Sequence, residues 1–163
     1  MASKHLALIL AILLSTGFIS FDRQESADQN FKIDISYIGL PHPVTTKYSI
    51  DNNRLTVYQT RYDSKKDSFV EFNKASYEKF DRTKLVSFLK GANWKSIPEK
   101  LETPTIDGYH YAVNIVVEKS SYSFNIDNTY HPTFDSLFTI CNKLIPTKRG
   151  QRKYYLPYSE WRK

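Results

Sequence analysis

The sequence predicts the α+β fold class: an antiparallel β-meander of about four strands, a helix, a β-hairpin and a second helix, with the helices packed on one sheet face. Short segments in the first half alternate apolar with polar residues, and this period of two is typical of half-buried strands. Two later segments repeat their apolar residues every three or four positions, the period of an amphipathic helix. Strands followed by helices in this way indicate the α+β class.

Four consecutive strands are predicted first. They are rich in β-branched and aromatic residues, and polar turns separate them, as in a meander. Pro41 and Pro43 are expected to end the first strand because each proline removes a backbone donor. Residues 51–53 (Asp-Asn-Asn) suit the tight turn of a hairpin. The first three predicted strands are segments 31–37, 47–50 and 55–62, and segment 69–72 begins the fourth.

The period of the apolar residues changes after residue 80. Asp81 is expected to cap a first helix that ends at Gly91. Trp94 and Ile97 are predicted to anchor the end of this helix to the core. Residues 95–105 contain two prolines, so a connector without regular structure is predicted there.

A hairpin and a second helix follow the connector. The hairpin is predicted from the alternation of apolar residues in segments 111–117 and 122–126. Thr133 is expected to cap the second helix, and Pro146 to end it. Spacings of three and four place its apolar residues on one stripe: Phe134, Leu137, Phe138, Cys141 and Leu144.

The first 17 residues have the pattern of a cleavable secretory signal peptide. Lys4 supplies positive charge, residues 6–14 are an unbroken apolar run, and Ser15 and Gly17 are the small residues that a signal peptidase requires. The run is shorter than the roughly 20 residues that cross a bilayer as a helix. The predicted organisation is a signal peptide at 1–17, a flexible leader at 18–29, a single α+β domain at 30–146 and a C-terminal tail at 147–163.

The predicted location is outside the cytoplasm, in the periplasm or at the cell surface. Cys141 is the single cysteine, so no intrachain disulfide can form, and no Asn-x-Ser/Thr site occurs. A secreted animal domain of this size usually carries several disulfides, so this composition favours bacterial export. No apolar run beyond the signal is long enough to span a membrane, so no transmembrane segment is expected in the mature chain.

The positive charge of the chain is concentrated in the tail. The chain carries 23 Lys+Arg against 17 Asp+Glu, and the tail holds six basic residues against Glu160 alone. Apart from Lys4, the rest of the chain has equal numbers of both signs. The basic residues alternate with aromatic ones, which suits an anionic membrane surface. The predicted binding residues are Lys148, Arg149, Arg152, Lys153, Tyr154, Tyr155, Tyr158 and Trp161.

The tail has other candidate partners and other interpretations. An acidic polysaccharide or an envelope protein would also match its charge, whereas export makes nucleic acid a poor candidate. The alternatives are a solubilising tail without a ligand, or a last strand at about 153–156 that packs on the body.

A catalytic site is predicted only as an alternative. If folding brings His110, Asp107 and His131 together, His110 would act as general base and Asp107 would orient it. The chain would then be a small hydrolase. No pair of histidines has the spacing of zinc ligands, so neither a metal nor another cofactor is expected. Cys141 lies in the apolar helix stripe and is predicted to be an inert core residue.

An exposed tyrosine platform is a further alternative contact surface, because tyrosine combines a large contact area with a polar tip. A sugar or a peptide would be its ligand, and core or edge packing is the competing interpretation. The candidates are Tyr58, Tyr62, Tyr109 and Tyr130.

Residues 94–146 include the segments DGYHYAVNIV and FDSLFTICNKLIP. This stretch resembles the C-terminal parts of small uncharacterised exported bacterial α+β proteins, and the resemblance implies no activity. The sequence as a whole predicts an exported, non-catalytic interaction or binding module, associated with the envelope through its tail. The small hydrolase is one alternative, and an immunity or inhibitor protein for a secreted enzyme is the other.

Overall fold

A single β-sheet organises the chain in the computed structural model, which describes residues 30–39, 44–104, 108–146, 154–156 and 158. The sheet order is β4-β3-β2-β1-β6-β7-β5, and its strands are β1 (Phe31–Gly39), β2 (Val44–Asp51), β3 (Leu55–Asp63), β4 (Ser68–Tyr77), β5 (Lys100–Glu102), β6 (Tyr109–Val117) and β7 (Ser120–Asp127). The helices are α1 (Thr83–Gly91) and α2 (Pro132–Leu144), with a short 3₁₀ helix at Trp94–Ser96. All neighbouring strands are antiparallel except β5, which runs parallel to β7.

The predicted fold class, α+β with a four-stranded meander and helices packed on its face, is wrong. The described residues are mostly β, in one mixed sheet of seven strands with two α-helices. The first strand is central, because β1 pairs with β2 on one side and with β6 on the other, from Phe31 opposite Val117 to Gly39 opposite Tyr109. Periodicity locates strands but does not identify their partners, so this distant pairing was not predictable from it.

The strand β5 lies inside the segment that was predicted to be a connector. It has three residues, and its one apolar side chain, Leu101, stands between two charged ones. Such a strand is too short to show a period. Backbone hydrogen bonds from Asn125 N to Glu99 O (2.8 Å) and from Thr103 N to Asp127 O (2.9 Å) attach it to β7.

Both helices begin close to their predicted starts but with different caps. Arg82 occupies the N-cap position of α1, while the Asp81 carboxylate accepts a hydrogen bond from Thr83 N at 3.0 Å. In α2 the cap is His131 rather than Thr133. The His131 ring Nδ1 accepts from Thr133 N at 3.3 Å, so it satisfies one of the N–H groups that a helix start leaves unpaired.

The buried side chains form one hydrophobic core that joins the sheet to both helices. Phe138 of α2 stacks on Tyr111 of β6 with ring centroids 4.9 Å apart, and Trp94 packs between Phe88 and Phe124. The Trp94 indole N–H donates to Leu89 O at 3.0 Å, so this buried polar group is satisfied. The core also includes side chains from beyond residue 146, namely Tyr154, Leu156 and Tyr158.

The alternate positions of the strands carry mainly polar side chains on the other face of the sheet. On β6, for example, Tyr111 and Val113 point into the core and are buried, whereas Asn114, the next residue, points to the other face and is exposed. Within the described part of the chain, no helix is both long and apolar enough to cross a membrane.

Candidate functional site

The described part of the C-terminal tail is built into the core. Tyr154, Leu156 and Tyr158 are 2%, 1% and 1% exposed, and Tyr155 is half-buried. The other predicted binding residues lie outside the described residues: Lys148, Arg149, Arg152, Lys153 and Trp161.

Asn142 of α2 holds this tail segment. Its side-chain amide donates to Leu156 O at 3.2 Å and accepts from Leu156 N at 3.0 Å, as a neighbouring strand would. The same amide oxygen accepts from the Tyr48 hydroxyl of β2 at 3.2 Å. Residues 154–156 therefore pack on the body, although they do not form a strand.

Two tyrosine hydroxyls complete the attachment of the tail. Tyr158 OH accepts from His131 N and donates to Thr129 O, both at 2.7 Å, and Tyr154 OH donates to Asn73 Oδ1 at 2.9 Å. Burial raises the pKa of Tyr154 and of Tyr158, which keeps both phenols neutral and able to donate. These two side chains serve the core and are not on the surface.

The predicted catalytic residues are placed as follows. His110 hydrogen-bonds through Nδ1 to the carboxylate of Asp127, its cross-strand neighbour on β7, and both side chains are partly exposed. Asp107 lies outside the described residues. His131 caps α2, and burial lowers its pKa, which favours the neutral ring whose Nδ1 accepts from Thr133 N. His110 thus has a carboxylate partner, but this partner is Asp127 and not the predicted Asp107.

Metal and thiol chemistry find no support in the described residues. Among them, no three His, Cys, Asp or Glu side chains are grouped so that they could hold a metal ion. Cys141 is completely buried, and burial raises the pKa of its thiol to about 12, so the thiolate is not populated near neutral pH. Its predicted role as a core residue is confirmed.

The four tyrosines predicted as an alternative platform do not share one surface. Tyr109 is buried in the core. Tyr58 is half-buried on β3, with Lys47 Nζ 5.9 Å from its ring centroid, and Tyr130 stacks on Tyr158 beside α2. Of the four, Tyr62 and Tyr130 are exposed, and they lie on different elements.

Three exposed aromatic side chains lie on the β3–β4 hairpin. Tyr62, Phe69 and Phe72 are 44%, 58% and 47% exposed, and they are three of the five exposed large hydrophobic side chains among the described residues. Together with Arg61 they are called the hairpin patch below, and they lie on both faces of the hairpin: Tyr62 with Phe69 on one face, and Arg61 with Phe72 on the other. Most large apolar side chains elsewhere in the described chain are buried, so this clustering on one hairpin calls for a partner.

Cross-strand contacts and a bulge arrange the hairpin patch. Tyr62 and Phe69 are opposite each other on β3 and β4, with ring centroids 5.6 Å apart in an edge-to-face arrangement. Gln59 pairs with Asn73 and Thr60 with Glu71, so Phe72 is the extra residue of a β-bulge. The Arg61 guanidinium lies 5.6 Å from the Phe72 ring centroid, a cation–π distance.

The acidic groups of the hairpin are all engaged within it. Asp63 accepts from Lys65 N at 3.0 Å, and Glu71 lies 3.8 Å from Lys74. Asp67 accepts from the Tyr62 hydroxyl, and this bond raises the pKa of Tyr62 because it stabilises the neutral phenol. By contrast, three basic side chains of the hairpin make no ion pair with any described residue: Arg61, Lys65 and Lys66.

The sequence contains one signal for this patch. In segment 69–72 (Phe-Val-Glu-Phe) the apolar residues do not alternate, so a strand there must expose apolar side chains on at least one face. What the sequence does not show is that β4 ends the sheet, so that among the described residues no strand pairs with its outer edge.

The fold and the exposed surface are the features that define this protein. These describe a mixed seven-stranded β protein with an aromatic and basic patch on its edge hairpin. No protein-family model matches the chain, and no curated protein matches it either.

Proposed function

We propose that this protein is an exported, non-catalytic interaction module that binds protein through the hairpin patch. The observation that carries the proposal is the exposure of Tyr62, Phe69 and Phe72 on one hairpin at the end of the sheet, with Tyr62 against Phe69 and Phe72 against Arg61. Aromatic residues and arginine are enriched in the cores of protein interfaces, where a few such side chains supply most of the binding free energy. The unpaired lysines beside the patch form a polar rim of the kind that surrounds such contacts.

A protein suits this surface better than a small molecule does. Small ligands bind in concave sites that enclose most of their surface. Residues of α1, α2 and β7 line cavities of about 180 to 490 Å³, but none of these cavities is lined by a hairpin-patch residue. Exposed aromatic side chains at the edge of a sheet match the apolar surface of another polypeptide.

The tail retains its predicted role as a contact for an anionic membrane surface, an acidic polysaccharide or an envelope protein. Because Tyr154 and Tyr158 pack in the core, that role falls to the basic residues around them. Export from the cytoplasm is likewise part of the proposal, and it rests on the signal pattern of residues 1–17.

Site-specific photocrosslinking tests the hairpin patch. We expect a benzophenone amino acid at Phe69, introduced in the producing cell, to yield one discrete protein adduct. The same group at Val116, which is exposed on β6, is the matched control and should yield none. Adding Phe72→Ser should lower the adduct yield by about tenfold, since loss of an interface aromatic of this kind costs at least 1–2 kcal/mol. An adduct at Val116 with none at Phe69 would refute the assignment.

The hydrolase remains the second candidate, because His110 does have a carboxylate partner in Asp127. On our proposal this pair is structural, so His110→Ala should leave any ester, peptide or glycoside hydrolysis by the purified protein unchanged. The measurement is turnover of chromogenic substrates of each class by both proteins, with Asn114→Ala on the same strand as control. A loss of at least about a hundredfold confined to His110→Ala would instead identify a general base.

A further inference from the structure

We infer that the hairpin patch binds a second copy of this chain, with the two β4 strands pairing antiparallel across a two-fold axis. This inference rests on the proposed function, whose partner it names. Most soluble oligomers are homo-oligomers with closed symmetry, and the two-fold dimer is the commonest form. Such a contact requires a surface that is complementary to itself, and β4 has that property in its backbone, its bulge and its charges.

The backbone of β4 is available for strand pairing. It is the last strand of the sheet order, and within the described part of the chain no other strand pairs with its outer edge. It has ten residues, whereas β5 at the opposite end of the sheet has three. An exposed edge of this length presents a row of N–H and C=O groups that can pair with another chain.

The bulge divides β4 into two regular runs, residues 68–71 and 73–77, on either side of Phe72. A bulge normally interrupts pairing at an edge. A two-fold axis placed between Phe72 and Asn73 avoids this obstacle, because residues 68–71 of each copy then lie opposite residues 74–77 of the other. In this register each regular run of one β4 strand pairs with a regular run of the other, and the two bulges lie at the two-fold axis.

The same register is complementary in charge. It places Glu71 of each copy opposite Lys74 of the other, so that two ion pairs form across the axis. Both side chains lie on one face of the sheet, since Glu71 is opposite Thr60 and Lys74 is opposite Tyr58, two residues apart on β3. Within one copy they are exposed and 3.8 Å apart, the limit of an ion pair, so exchange of partners costs little.

The area available suits a reversible dimer. Aromatic side chains bury about 150–250 Å² each, so the two that lie on β4 itself, Phe69 and Phe72, both about half exposed, offer roughly 200 Å² per copy, to which the strand edges add more. The total falls at the low end of the range for specific interfaces, where contacts are transient. We therefore expect dissociation in the micromolar range.

Sedimentation velocity on the protein expressed from the full sequence tests the dimer. From about 1 to 300 μM, we expect the sedimentation coefficient to rise from that of a monomer to that of a dimer. Lys74→Glu and Glu71→Lys should each weaken the dimer about tenfold or more, because like charges then oppose each other across the axis. The double variant restores opposite charges and should dimerise to within about threefold of the original. Lys90→Glu, an exposed change on α1, is the matched control.

The outcomes separate this inference from the proposed function. A protein that stays monomeric over the whole range, while the benzophenone at Phe69 gives an adduct that is not twice the mass of the chain, overturns the dimer and supports another protein partner. A dimer that neither single charge variant weakens also overturns the inference, because it uses another surface. Rescue by the double variant, with an adduct of twice the chain mass, supports both.

Discussion

A chain that ends at Pro146 is expected not to fold, although residues 147–163 look in the sequence like a charged tail. Truncation removes Tyr154, Leu156 and Tyr158, which are all buried in the core. Removing one large buried side chain typically costs 2–5 kcal/mol, and three such losses together reach the 5–15 kcal/mol that stabilises a typical domain. The truncation also removes Leu156 O, the acceptor for the buried side-chain NH2 of Asn142.

Circular dichroism during thermal unfolding measures this effect. We expect no cooperative transition for the truncated chain. The control keeps the whole chain and neutralises four basic residues of the tail by substitution with glutamine, namely Lys148, Arg149, Arg152 and Lys153. We expect its midpoint to change by no more than a few degrees, because this variant keeps Tyr154, Leu156 and Tyr158 in the core. A truncated chain that melts at the original temperature would show that the tail contributes nothing to stability.

Asn142→Ala is expected to lower the free energy of unfolding by about 3–5 kcal/mol, because each buried polar group left without a partner costs about 1–3 kcal/mol. The Asn142 amide satisfies three groups: the Tyr48 hydroxyl and both backbone groups of Leu156. Alanine removes this partner from all three groups at a site where Asn142 is only 4% exposed. The helix itself loses nothing, since alanine is the best helix former.

Urea titration measures the change, and Lys143→Ala is the matched control. Lys143 is the next residue on α2 and is exposed, so its substitution should change the free energy of unfolding by less than about 0.5 kcal/mol. If Asn142→Ala also stays within 1 kcal/mol, the tail is not held by this amide, and the first prediction then rests on the burial of Tyr154, Leu156 and Tyr158 alone.

Several elements of this protein were predictable from local sequence. The alternation of Phe31, Ile33 and Ile35 indicates β1, and these residues are buried as expected. The stripe of Phe134, Leu137, Phe138 and Cys141 indicates the buried face of α2. In both cases the period of the apolar residues directly reflects the geometry of the backbone, so the signal is contained in a short segment.

The candidate sites were less predictable, because each depends on which parts of the chain lie nearby. His110 was assigned to Asp107, its neighbour in sequence, whereas β6–β7 pairing brings Asp127 beside it. Tyr154 and Tyr158 were predicted as contact residues because basic residues surround them in the sequence. The alternative prediction, a last strand at about 153–156 packed on the body, was closer to the structure, because Tyr154 and Leu156 are buried in the core.

The sequence by itself determined the positions of six strands and two helices, the buried state of Cys141 and the concentration of charge in the tail. The tertiary structure decided that the strands form one sheet, that the tail completes its core, and that β4 ends the sheet with its aromatic residues exposed. The physical reason is the range of the interactions. Periodicity follows from local backbone geometry, whereas strand partners and exposure follow from burial shared between segments that are distant in the chain.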